Sequence, residues 1–151
     1  MLFFEEGFRL LRDGGRIIVV DPYLSPVSRI AFTAFHSEPF DMGCNPLQST
    51  IPLSEDFAFD ANQAVATILF FKRLKEWEAT CPGFRLIERK RFALLAYPAT
   101  GGFSMRQLLP DRVIGMIQKW EGLLAPLAPL LAFLVLVVVE KRMMDESRKM
   151  D

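Results

Sequence analysis

The chain has 151 residues, of which 51% are apolar, enough to bury a single-domain core and too many for a disordered tail. Its 18 basic residues balance 18 acidic ones, so no overall field draws it to nucleic acid, and no nucleic-acid partner is expected. Cys44 and Cys81 form no CxxC pair and there is one histidine, which leaves no zinc-type ligand set and no disulfide framework; no metal is expected.

In chain order, Phe4, Phe8 and Leu11 recur at helical spacing and predict a short helix that Gly14-Gly15 ends in a left-handed turn. Arg16-Ile17-Ile18-Val19-Val20-Asp21-Pro22-Tyr23 is a β-branched run, predicted as a buried parallel strand with helices on both faces and neighbours on both edges. Residues 24–60 mix phenylalanines with Pro, Gly, Asn and Ser and read as an irregular insert, briefly helical from Val27 to Phe35. Asp60 is positioned to cap a second helix carrying Val65, Ile68 or Leu69, Phe71, Leu74 and Trp77 inward, until Cys81-Pro82-Gly83 stops it.

Phe84 to Tyr97 alternates in part and predicts a strand, a solvated bend at Glu88-Arg89-Lys90-Arg91, and a second extended piece. Pro110 opens a third helix with Val113, Ile114, Ile117, Trp120 and Leu124 on its apolar side. Residues 122–139 carry no charge, long enough at about 1.5 Å per residue to span a bilayer as one helix. Pro126 and Pro129, together with the valine-rich Phe133 to Val139, favour a helix end followed by a buried strand; the alternative is a membrane anchor over 123–139. The domain reading is 1–141, with 24–60 as a lid-like insert and 142–151 as a charged tail that begins to fray at Glu140. The N-terminus has no basic n-region and no small-residue cleavage site, so a cytoplasmic location is expected.

The helix ending Leu-Leu-Arg-Asp-Gly-Gly, followed by Arg-Ile-Ile-Val-Val-Asp-Pro-Tyr, resembles the passage into the fifth strand of class I S-adenosylmethionine-dependent methyltransferases. The later order of insert, helix, strand near Phe84 to Glu88, helix and final strand near Leu131 to Glu140 is similar to that family's closing antiparallel pair. Within the family, Phe35-His36-Ser37-Glu38-Pro39-Phe40-Asp41 and Ala61-Asn62-Gln63-Ala64 resemble bacterial members with a long insert after this strand. The resemblance implies an α/β fold, an incomplete Rossmann-like methyltransferase domain, and S-adenosylmethionine as the donor in a complete enzyme. The family's glycine-rich turn after the first strand has no counterpart here. Gly14-Gly15 precedes a strand, whereas a donor-binding turn follows a strand and opens a helix. No donor binding by this chain itself is therefore expected.

The residues that could meet a small-molecule acceptor each have a plainer role. Asp21, with Tyr23 after it, ends a strand at the carboxyl edge where α/β sheets take ligands, yet it could equally cap a turn before Pro22. His36 beside Glu38 and Asp41 could act as a general base, or be a structural histidine in an aromatic-rich insert. Asn62 and Gln63 could contact a polar substrate or cap the first turn of the second helix. Glu88 to Arg91 could meet an anionic substrate or be a solvated bend. The insert's phenylalanines could line a pocket or form core. Two other classes compete with the methyltransferase fragment: an interaction protein whose open edge at Arg16 to Asp21 pairs with a second copy or a separate N-terminal partner chain, and a protein anchored in a membrane through 123–139.

Overall fold

The computed structural model describes residues 2–35, 40–47, 62–102 and 106–143. The chain is a mixed α/β structure built around a single valine-rich strand. Helix α1 (Leu2–Leu10) leads through the Gly14 turn to β1 (Arg16–Pro22), and helix α2 (Pro26–Phe35) follows. After the insert, α3 (Val65–Thr67) runs into a π-helical segment (Ile68–Lys72) and then α4 (Leu74–Thr80), before β2 (Phe84–Phe92). Helices α5 (Ala96–Ala99) and α6 (Asp111–Glu121), a 3₁₀ segment (Gly122–Leu127) and α7 (Ala128–Leu131) lead to β3 (Leu134–Lys141).

The strand order is β1-β3-β2, with β3 antiparallel to both neighbours, so that β1 and β2 run parallel to each other on either side of it. Residues of β3 can occupy the centre because valine alternates on its face without a gap: Val135, Val137 and Val139 are wholly buried. Burying each contributes about 1.5–3 kcal/mol. They pack under Phe4 of α1, Phe70 of the π segment and Trp77 of α4. Phe4 lies 5.5 Å edge-on to Trp77 and 5.9 Å edge-on to Phe84, geometries aromatic pairs favour. Gly7 lets α1 approach β1 closely, since a Cβ there would lie 2.7 Å from Ile17 Cδ1 and push that methyl aside. Lys141 donates from Nζ to the Phe8 and Leu11 carbonyls at 2.9 and 2.8 Å, capping the end of α1. Gly14, at φ 74°, lets the chain turn back into β1.

Several sequence expectations are corrected. β1 is antiparallel to its neighbour and, among the described residues, an edge strand with one bare face: Ile18 is 66% and Val20 57% exposed, because no helix lies over them. Glu88 to Arg91 is no bend. It continues β2 to Phe92 past an irregularity at Leu86–Glu88 that restores alternation, so charged side chains point to opposite faces. The second helix is divided, since Arg73 leaves helical space at φ −122°, ψ 33° between the π segment and α4. Asp60, its expected cap, lies outside the described residues. In α6 only Ile114 is buried and Trp120 is 62% exposed, so the expected five-residue inward stripe is not formed.

The uncharged run 122–139 splits into 3₁₀, α-helical and strand segments, with its second half as the central strand, and no helix among the described residues is long and apolar enough to cross a membrane. Glu140 and Lys141 belong to β3 instead of fraying; Glu140 is held by Arg16 and Arg85, and Arg142 is tied to Gly83 and Phe84 by backbone and side chain.

Candidate functional site

Because β1 and β2 are parallel, their carboxyl ends lie on the same side of the sheet, where Asp21, Tyr23, Arg89 and Arg91 gather above the π segment. Asp21 pairs with Val135 and points to the covered face with Ile17 and Val19. Its carboxylate accepts a hydrogen bond from the Ala66 N–H in the first turn of α3, while burial, the larger effect, raises its pKa to about 6. A carboxyl so poised is largely ionised at pH 7 and can still take up a proton near neutrality.

The turn after β1 is fixed by buried hydroxyls. The Leu24 N–H donates to Thr67 Oγ1 at 2.9 Å, and the Ser28 hydroxyl donates to the Tyr23 carbonyl at 2.6 Å. Ser25 Oγ accepts from the Ser28 N–H at 3.0 Å and caps α2. These contacts hold Tyr23 in the core, its ring 4.9 Å from Phe71 and tilted by 57°.

Asn62 has a different task. Its Oδ1 accepts from the N–H groups of Asp41 and Ala64, and its Nδ2 donates to the Asp41 carbonyl and to Cys44 Sγ. All its polar capacity is thereby committed to pinning the 40–47 loop to the head of α3. Asp41 uses Oδ1 to accept from the Gly43 N–H at 2.7 Å, an Asx turn. Arg73 extends the same scaffold by donating to Asn45 Oδ1 at 2.5 Å. Burial first, and then the Asp41 charge, push the Cys44 thiol up, which disfavours a thiolate there. Gln63 is buried beside this loop. His36 and Glu38 lie outside the described residues, so of the sequence candidates Asp21, Tyr23, Asp41, Asn62 and Gln63 are placed around one end of the sheet.

Comparison of the chain with family models, with curated proteins and with solved structures finds no match. Function therefore rests on the chain's own geometry.

From the sequence Thr67 is not singled out, Phe71 is expected only as an inward helix residue, and Arg89 and Arg91 only as part of a charged run that could meet an anionic substrate or form a solvated bend. The signal was present in Glu88-Arg89-Lys90-Arg91: read as a strand, it sends Arg89 and Arg91 to the covered face opposite Val137 and Val135, and Glu88 and Lys90 to the other. The larger clefts lie elsewhere, about 620 Å³ between α2 and Phe40 and about 420 Å³ between α1 and Cys81–Phe84. Only the first adjoins the site, through Phe40 next to Asp41. Among the described residues no three His, Cys, Asp or Glu side chains gather to hold a metal.

Proposed function

We propose that this chain supplies the acceptor side of an S-adenosylmethionine-dependent methyl transfer, as the C-terminal portion of an incomplete Rossmann-like domain. The observation that carries the reading is the chain path: helix, Gly-Gly turn, β1 ending in Asp21-Pro22, and a last strand paired antiparallel to the one before it. What supports it further is the half-buried Asp21 carboxyl at the carboxyl edge of β1, where α/β sheets take ligands. The donor supplies an electrophilic methyl group to a nucleophilic oxygen, nitrogen or carbon of the acceptor. The residues present do not fit the donor. The Gly14 turn leads into a strand and so opens no helix toward a ligand. In this reading Asp21 accepts a hydrogen bond from the acceptor's nucleophile and orients it. The two cysteines, both unpaired, suit a cytoplasmic setting.

The test is calorimetric titration with S-adenosylmethionine of this chain and of the polypeptide encoded by any coding sequence in frame upstream of Met1 joined to it. Binding by the longer polypeptide and none by this chain is expected. Clear binding by this chain by itself, or an upstream frame without a glycine-rich strand–turn–helix, contradicts the reading.

A second reading has its own observation. The backbone bonds from Lys141 to Gly15 and from Tyr23 to Phe133 set the odd-numbered residues of β1 toward β3. The N–H groups of Arg16, Ile18 and Val20 then face outward, and Pro22, which has none, ends the series. Such an edge pairs with a further strand, from another copy or another chain. Sedimentation at rising concentration tests self-pairing: a dimer dispersed by Ile18→Lys favours it, and a monomer throughout opposes it.

A further inference from the structure

Arg89 and Arg91 share one aromatic support. The Phe71 ring centroid lies 4.6 Å from Arg89 Cζ and 4.2 Å from Arg91 Cζ, and the Tyr23 ring adds a second surface 5.0 Å from Arg91. Stacking on a ring fixes the plane of a guanidinium and leaves its N–H edge free for a planar or tetrahedral oxyanion. Arg89 commits one nitrogen to the Phe70 carbonyl. Arg91 Nε is buried with no hydrogen-bond partner among the described residues, and Arg91 as a whole is only partly buried.

Among the described residues neither arginine has a carboxylate within ion-pair reach, whereas Arg16 and Arg85, on the opposite face, share the Glu140 carboxylate. Asp21 does not fill the role. It and Arg91 both stand opposite Val135, one strand to either side, so their backbones are two strand spacings or about 10 Å apart. Two like charges held at one ring without a counter-ion are electrostatically unfavourable, and an anion bound between them relieves that cost.

We propose that Arg91, with Arg89 beside it, is a receptor for an oxyanion: the phosphate or carboxylate group of a small ligand, resting against the Tyr23–Phe71 pair. The site does not depend on methyl transfer. Under that reading it makes the acceptor an anionic molecule.

The test follows the arginine Nε–Hε resonances of the full chain during titration with inorganic phosphate and, separately, acetate, at constant ionic strength in chloride. Saturable shifts at Arg91 with an apparent Kd of about 1 mM or below are expected for at least one anion. Tighter phosphate binding identifies a phosphate-bearing ligand, and equal or tighter acetate binding a carboxylate. Arg91→Met, which keeps an apolar stem on the rings, is expected to weaken binding about tenfold or more, and Arg85→Met to leave it unchanged. Shifts that remain linear, or that fall equally in both variants, overturn the proposal. If Arg91→Met fails to fold, the contrast between the Arg91 and Arg85 resonances in the unaltered chain decides: saturation at Arg91 alone supports the site, and parallel shifts at both overturn it.

Discussion

On one face of the sheet Val135, Val137 and Val139 are enclosed beneath α1, the π segment and α4, whereas on the other Ile18 and Val20, no less apolar, lie in solvent. The difference teaches that apolar sequence states a capacity for burial, which a covering element must meet. In β1 Ile17 lies against Gly7 of α1, Val19 packs on the core and Asp21 meets Ala66 of α3, while the even-numbered Ile18 and Val20 are exposed. The ionic residues follow the same division. Glu140 lies on the bare face between Arg16 and Arg85, its carboxyl held below the usual carboxylate range by hydrogen bonds from Arg16 and then Arg85. On the covered face Asp21 has no cationic partner among the described residues, and burial raises its pKa.

The comparison breaks most sharply at Trp77. Trp77→Ala is expected to cost about 3–5 kcal/mol, because the cavity opens where Phe4 and Phe70 meet; a urea midpoint close to that of the unaltered chain would mean that α4 does not seal this face.

Asp21→Asn is expected to act in the opposite direction, adding about 1–3 kcal/mol at pH 7 by removing a buried charge while keeping an acceptor for the Ala66 N–H. The sign follows from the shift: the folded carboxyl holds its proton up to about pH 6, the unfolded one only to 3.8. The folded state therefore binds more protons between those values, and the destabilisation, complete above about pH 6, fades as pH falls toward 3.8. Denaturation across this range is expected to show stability rising as pH falls, with that component absent in Asp21→Asn. The same slope in both proteins would remove Asp21 from the explanation.

Ala93, at φ 58°, holds a conformation that disfavours a side chain, and its carbonyl accepts from the Phe133 N–H at 3.0 Å. Ala93→Gly is expected to raise stability by about 1 kcal/mol, read as a shift in thermal midpoint, and a loss would show that the methyl group packs usefully. The smallest effect falls on the bare face. Ile18→Thr and Val20→Thr are expected to change stability by no more than about 0.5 kcal/mol. A core-sized loss from either, in chemical denaturation of dilute protein, would mean that this face is covered after all.

Much of the fold was legible where periodicity and burial agreed. Phe4, Phe8 and Leu11 marked α1 because one stripe faces the sheet, and the valine run marked β3 because both its edges are paired and its valines are buried. Pro126 and Pro129 likewise separated that strand from the helical turns before it. Legibility failed where neighbours decide. A β-branched run does not say whether its partner is parallel or antiparallel, so β1 pairs antiparallel where a parallel neighbour is expected, and among the described residues it has no second cover. Four successive charged residues suggest solvent, but aromatic rings across the sheet can hold guanidinium groups, and Arg89 and Arg91 therefore continue a strand. At the site, Asp21 and Tyr23 were visible as a strand end. The commitment of Asn62 to Asp41, Ala64 and Cys44 depends on contacts 2 to 21 residues away along the chain, which spacing does not reveal.

Strand β1 has one edge paired with β3 and, among the described residues, one edge open. Amide exchange along β1 tests it most directly, in dilute chain and in the polypeptide joined to any in-frame upstream sequence. In the chain itself, Ile17 and Val19 are expected to exchange slowly and Ile18 and Val20 quickly, with Ile18 and Val20 becoming protected in the longer polypeptide. Equal protection of all four in the dilute chain, or no gain at Ile18 and Val20 in the longer polypeptide, would contradict it.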